Sequence, residues 1–188
     1  MKLYFATGNK NKLVEFQNFL GTQGIEIEHL DIDYPEIRSD DITQIAASGA
    51  KYVCAKAKKT VIVEDSGLFI NSLNNFPGTY TKWVHQKIGH IGLFRLLEGK
   101  DRKAEFRTCI GLCKPGNEPL TFLGAVNGTI TQEEKGTKGW GHDPIFMPEG
   151  HDKTWAENPD IKAAGSHRIN AIKRFMEWLK ENKQYLKE

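Results

Sequence analysis

The sequence predicts one α/β domain organised on a mixed β-sheet. Three observations carry that prediction. Strand-like and helix-like periodicities alternate through the first half of the chain. Two long strand-like runs then flank a loop rich in Pro and Gly, which predicts a hairpin. The 188 residues suffice for one good core, and no repeat, low-complexity tract or composition shift marks a linker.

The elements follow in order. Leu3 to Ala6 is a short apolar run with two aromatics, suited to a buried strand. Thr7-Gly8-Asn9 is turn chemistry, and Leu13, Phe16 and Leu20 then recur at helical spacing until Gly21 supplies a stop. Ile25-Glu26-Ile27-Glu28 alternates, as an amphipathic strand does. After the Pro-broken polar loop 31–39, Asp40 or Asp41 caps a helix with apolar positions Ile42, Ile45, Ala46, Gly49 and Val53. Its end carries Lys56, Lys58 and Lys59, which suit the negative pole of the helix dipole and need no nucleic acid to explain them.

Thr60-Val61-Ile62-Val63 is the most apolar β-branched run and predicts a central strand that stops at Glu64-Asp65-Ser66-Gly67. Leu68-Phe69-Ile70 reads as a separate short strand, and 71–78 as turns. Tyr80 to His90 and Ile91 to Leu97 read as two short helices divided near Gly89 to Gly92. Ala104 to Cys113 and Leu120 to Thr131 are the hairpin strands, and 133–150 is mostly loop. A last helix starts near Ser166 with a core face of Ile169, Ile172, Phe175, Met176 and Leu179.

Composition excludes several classes. The formal net charge of +2 implies no strong field for nucleic acid or an acidic membrane. No apolar run approaches membrane-spanning length, and too few apolar residues follow Lys2 for the core of a signal peptide. The three cysteines, Cys54, Cys109 and Cys113, read as reduced thiols of a cytoplasmic protein. The six histidines show no HExxH spacing, and Cys109 and Cys113 are better read as strand residues than as half a zinc site. Neither a GxxxxGK[ST] loop nor GxGxxG occurs, and Ser66 lacks a GxSxG setting.

Four places could carry chemistry. Lys10 and Lys12 stand in the first turn of a helix, where the dipole disfavours cations. An anion such as phosphate on the free N–H groups would justify them, and two solvated lysines would serve as well. Glu64-Asp65, beside Ser66-Gly67, could hold Mg²⁺ and orient a water, with Glu36 a candidate second ligand. Trp140, between Gly139 and Gly141, could lie against a base, and Asp143 could accept from a purine N–H. Ser166-His167-Arg168 puts imidazole and guanidinium donors at a helix start, suited to a 6-oxopurine or a phosphate, and Lys162 adds a cation. Taken singly, a packed indole explains Trp140 and an ordinary N-cap explains Ser166.

Together these segments resemble the inosine triphosphate pyrophosphatase family. The resemblance rests on Thr7-Gly8-Asn9-Lys10-Asn11-Lys12, Glu64-Asp65-Ser66-Gly67-Leu68, Phe76-Pro77-Gly78, Gly139-Trp140-Gly141-His142-Asp143-Pro144-Ile145-Phe146 and Ser166-His167-Arg168, in that order. It implies a long, bent mixed sheet flanked by helices, with two lobes around a nucleotide-binding cleft, in a homodimer. It implies one pyrophosphatase domain over 1–188, cleaving ITP, dITP and XTP to the monophosphate and pyrophosphate with Mg²⁺. By the same resemblance Thr7, Gly8, Asn9, Lys10, Asn11 and Lys12 hold the triphosphate. Glu36 and Asp65 bind metal, Asp65 is the base, Glu64 assists, and Ser66 touches the nucleotide. Trp140, Gly141, His142 and Asp143 hold base and sugar, Lys162 lies against the nucleotide, and His167 with Arg168 reads the 6-oxo group. Two positions depart from the family pattern: His142 replaces an aromatic Tyr or Trp, and Ala163 replaces Asn after Lys162.

Donors aimed at O6 welcome hypoxanthine and xanthine and leave buried groups unpaired against an adenine amino group. Guanine also carries O6, so its rejection would rest on the 2-position. A nucleotide sensor without turnover would bind ITP and release no pyrophosphate, and the acidic set Glu36, Glu64 and Asp65 argues against it. A nucleic-acid binder using 51–59 is disfavoured by the near-neutral charge, and a pyrophosphatase for modified pyrimidines by Ser166-His167-Arg168.

Overall fold

The computed structural model describes residues 2–186 and shows a mixed α/β architecture. Among the described residues the strands are β1 (Lys2–Ala6), β2 (Glu26–Leu30), β3 (Val61–Ile70), β4 (Pro77–Gly78), β5 (Lys103–Cys113), β6 (Leu120–Ile130) and β7 (Phe146–Pro148). The α-helices are α1 (Lys10–Gly21), α2 (Ile42–Ala57), α3 (Thr81–Leu96), α4 (Pro159–Gly165) and α5 (His167–Glu181). The sheet runs β2-β1-β3-β5-β6-β7, with β4 on β3. It is mixed, as expected. β1 is parallel to β2 and β3, in a register that sets Phe5 opposite His29 and Ile62, whereas β4 on β3 and β7 on β6 are antiparallel. β5 and β6 are neighbours joined through 114–119, which is the expected hairpin.

The chain forms two compact units. The first takes Met1–Asp65, Cys109–Leu123 and Ala171–Glu188; the second takes Ser66–Thr108 and Gly124–Asn170. In the first, β1 is covered on both faces, which is why it reads as an unbroken apolar run. Leu3 and Phe5 pack with Phe16 and Leu20 of α1 and Ile172, Phe175 and Leu179 of α5. Ala6, with Val61 and Val63 of β3, packs instead on Ala50, Val53 and Cys54 of α2. Each such large side chain withdrawn from water contributes roughly 1.5–3 kcal/mol. The second unit has its own core of Leu68, Ile70, Val84, Leu93, Phe106, Ile130, Phe146 and Trp155.

Four expectations need correction. Val61–Ile70 is one continuous strand, not two strands about a stop. The polar residues are accommodated because Glu64 is buried against a lysine and Gly67 lies close against the Gly78 backbone, next to the Leu68–Gly78 pair of β3 and β4, so sheet pairing overrides the local turn signal. α1 continues through Gly21 and is capped at Thr22. α4 went unread, although its start carries a cap signal: the Asn158 side chain accepts from the Asp160 N–H, with Pro159 in the first turn. The short strand β7 lies inside the stretch read as loop, where it adds to β6.

Candidate active site

The first unit gathers the residues expected at the triphosphate. β1 ends at Ala6 and α1 begins at Lys10, so the turn 7–9 stands at a parallel strand's carboxyl end. Thr7 Oγ1 accepts from the Asn9 N–H at 3.1 Å. Asn9 is the N-cap, and its Oδ1 accepts from the N–H groups of Asn11 at 2.9 Å and Lys12 at 3.4 Å. The cap therefore engages two amides that the sequence offered to an anion. Gly8, Lys10 and Asn11 are exposed.

Lys12 turns inward. Its Nζ lies 2.8 Å from Glu64 Oε2 and donates to the Glu64 carbonyl at 3.3 Å. The two side chains are 14 % and 0 % exposed. A cation in the first turn, unfavourable on dipole grounds, is explained by this buried carboxylate.

Asp65 follows, half-buried, and Glu36 is exposed on its loop. A residue that the sequence reading passed over connects them. The Tyr34 hydroxyl is pushed well above the usual tyrosine range, by burial first and then by the negative charges of Asp65, Glu36 and Glu64. Three carboxylates thus bear on one phenol, with Lys12 on one of them. Gly49 leaves room for the phenol, since a Cβ there would lie 2.7 Å from the Tyr34 ring. The only hint in the sequence was an aromatic in an otherwise polar, Pro-broken loop. An all-oxygen donor set of this charge fits a hard divalent cation such as Mg²⁺.

The second unit gathers the residues expected at the base. Asp143 is buried and organises them. It accepts from the Trp140 N–H at 2.8 Å and from Lys162 Nζ at 2.9 and 2.8 Å. Gly139 has φ +78°, and a Cβ there would meet Asp143 Oδ2 at 2.2 Å, so glycine is required for this close approach. Lys162 Nζ lies 4.7 Å from the Trp140 ring centroid and the Arg168 guanidinium 5.5 Å from it.

Ser166 Oγ accepts from the Ile169 N–H at 3.2 Å and caps α5. His167 stacks on Phe106 at 4.8 Å and on Trp155 at 5.4 Å, and Arg168 is fully buried. This arrangement brings an indole, an ammonium and a guanidinium together, groups of the kind that suit a planar, acceptor-rich ligand. Ser66 is half-buried on β3, and Gly141 has φ +64°. His142 is also buried, and its ring packs on His85 and His90. Burial first, then those two imidazoles, push it down to about 3, so it is neutral at physiological pH.

Residues 3–178 match the model of the Ham1 family. The chain is 50 % identical over 184 residues to the dITP/XTP pyrophosphatase of Methanopyrus kandleri, covering 97 % of this chain and 98 % of that one. It is 45 % identical over 187 residues to the protein of the same name from Pyrococcus horikoshii, covering 98 % and 100 %. Among solved structures, the Coxiella burnetii HAM1 protein superposes with a TM-score of 0.85 at 29 % identity, covering 96 % of this chain and 99 % of that one. The Staphylococcus aureus Ham1 protein gives 0.83 at 29 % identity, covering 97 % and 100 %.

Proposed function

The chain belongs to the Ham1 family, and we infer from this and from its two charged clusters that it is a hydrolase of non-standard purine nucleoside triphosphates. It cleaves ITP, dITP and XTP to the monophosphate and pyrophosphate. The observation that carries this reading is the end-to-end likeness to relatives named dITP/XTP pyrophosphatase.

Residues 1–188 act as one pyrophosphatase domain, and each unit carries its own set of groups. The first supplies those for the triphosphate and the cation. Thr7, Gly8, Asn9, Lys10 and Asn11 receive the phosphates, and Lys12 adds positive charge beside the acidic set. Glu36 and Asp65 would hold Mg²⁺, the oxygen donors and negative charge being of the kind that ion takes. When bound, the ion neutralises charge on the phosphate oxygens. Asp65 accepts the proton of a water that attacks the α-phosphorus in line, the bond to the bridging oxygen breaks, and pyrophosphate leaves. Glu64 holds Lys12 in place through this step. Catalysis is then mainly positioning and electrostatics.

The second unit supplies the groups for the base. Trp140 stacks on the purine; Gly141, His142 and Asp143 shape the loop that receives base and sugar; Ser66 and Lys162 contact the nucleotide. His167 and Arg168 donate to the 6-oxo group. A homodimer is part of this reading, and the exposed apolar side chains of α3 support it: Trp83 is 60 % and Ile91 67 % exposed. A cytoplasmic setting suits a nucleotide-pool enzyme with reduced, buried cysteines, and no described helix is long and apolar enough to cross a membrane.

The test is a substrate panel with separate detection of pyrophosphate and orthophosphate, with and without Mg²⁺. ITP, dITP and XTP should release pyrophosphate in a Mg²⁺-dependent way and ATP far more slowly. Binding of ITP without any pyrophosphate would favour the sensor reading instead.

A further inference from the structure

The second unit also holds three imidazoles in one place, at residues drawn from α3 and the loop 131–145. His85, His90 and His142 each offer a ring nitrogen, and these lie within 4.8 Å of one another. The ring centroids are 4.7, 4.8 and 5.3 Å apart. His90 and His142 are buried, and among the described residues no hydrogen bond reaches His85 Nδ1, His90 Nε2 or His142 Nε2. Buried polar atoms are nearly always paired, and leaving several unpaired within one cluster is costly.

We propose that His85, His90 and His142 form a three-histidine site for a transition-metal dication, Zn²⁺ above all. Imidazole nitrogens select such ions, whereas Mg²⁺ takes oxygen ligands. Tetrahedral coordination at Zn–N distances of about 2.0–2.1 Å sets neighbouring nitrogens ~3.3 Å apart. The rings would close by at most about 1.5 Å, within reach of side-chain rotation alone. Three protein ligands leave one coordination position open to water or another small ligand.

Two further features are built as such a site requires. His90 Nδ1 donates to Glu134 Oε1 at 2.6 Å. A carboxylate there fixes the tautomer and leaves Nε2, the unpartnered atom, to face an ion. The backbone break at Gly89 is the second. Residues five apart on a continuous helix point about 140° away from each other, so His85 and His90 would not meet. Gly89, at φ +60° and ψ −165°, interrupts α3 between them in a conformation that is nearly exclusive to glycine. An ion held by all three histidines would tie α3 to the loop that carries Trp140 and Asp143.

The test uses the full-length protein, stripped with a chelator and kept in excess Mg²⁺ so that oxygen sites stay filled. Titration with Co²⁺ should give the intense visible bands of tetrahedral nitrogen coordination, saturating at a single equivalent and abolished by Zn²⁺. His85 is the least buried of the three, so His85→Ala spares the fold best, and it should weaken Co²⁺ binding by roughly 100-fold or more. Glu134→Ala should weaken binding by about 10–100-fold, the usual loss for a partner that orients a ligand. Only the faint bands of oxygen-bound Co²⁺ in the wild type would overturn the proposal. So would tetrahedral bands that persist unchanged in a folded His85→Ala protein.

Discussion

Two lysine–carboxylate pairs, one in each unit, are alike in separation and burial and opposite in their surroundings. Lys12–Glu64 and Lys162–Asp143 both close at 2.8 Å, with side chains 14 % and 0 % exposed in the first and 13 % and 5 % in the second. Around the first, Asp65 and Glu36 add negative charge on the Tyr34 hydroxyl. Around the second, Arg168 adds a positive charge over the Trp140 indole. In the function proposed above, the same pair borders a cation seat in one unit and an acceptor-reading surface in the other. What decides the chemistry is the company a buried ion pair keeps.

The comparison is broken most severely by removing the acid proposed as base. Asp65→Asn should lower kcat for ITP by about 10³-fold, in the range of a lost general base, with an unchanged circular dichroism spectrum. Near-normal turnover would detach Asp65 from the chemistry.

Breaking either lysine pair should cost stability alike. Lys12→Met leaves Glu64 buried and Lys162→Met leaves Asp143 buried, each without its ammonium. Each should lose about 3–5 kcal/mol by urea unfolding, as buried pairs do when one partner is removed. A loss in one and none in the other would show that the two pairs are not equivalent. The smallest effect is the control: Lys51 and Glu118 also pair at 2.9 Å, but with side chains 60 % and 83 % exposed. Lys51→Ala should change stability by no more than about 1 kcal/mol in the same assay.

The sequence revealed the first unit's core more fully than its charges. Leu13, Phe16 and Leu20, and Ile42, Ile45, Ala46 and Val53, announce their helix faces because helical spacing is local. β1 announced itself because burial on both faces leaves no charged position from Leu3 to Ala6. Lys12 was visible as a misfit, but its partner was not. That partner is set by the parallel register of β1 on β3, with Tyr4 opposite Val61 and Phe5 opposite Ile62, and register is a tertiary fact. The same limit hid the continuity of β3, where Asp65-Ser66-Gly67 looks like a turn until neighbouring strands are in place.

The second unit was read chiefly through its motifs. Trp140, Asp143, Lys162 and Arg168 were each nominated, and the structure brings them together. Their arrangement was unforeseen, because Asp143 is engaged by its own loop and by Lys162. His85 and His90 escaped notice for a geometric reason. Their five-residue spacing suits no helix face, and only the break at Gly89 makes them neighbours.

The central claim is that phosphate handling belongs to the first unit and base reading to the second. The ratio of kcat/KM for ITP to that for ATP, measured below the unfolding midpoint in Lys12→Met and in Arg168→Lys, tests it most directly. Lys12→Met should lower both values by the same factor and leave the ratio unchanged. Arg168→Lys keeps the charge but loses the planar fork, and should reduce the ratio by about tenfold or more. A ratio that collapses in Lys12→Met, or stays fixed in Arg168→Lys, would contradict the division.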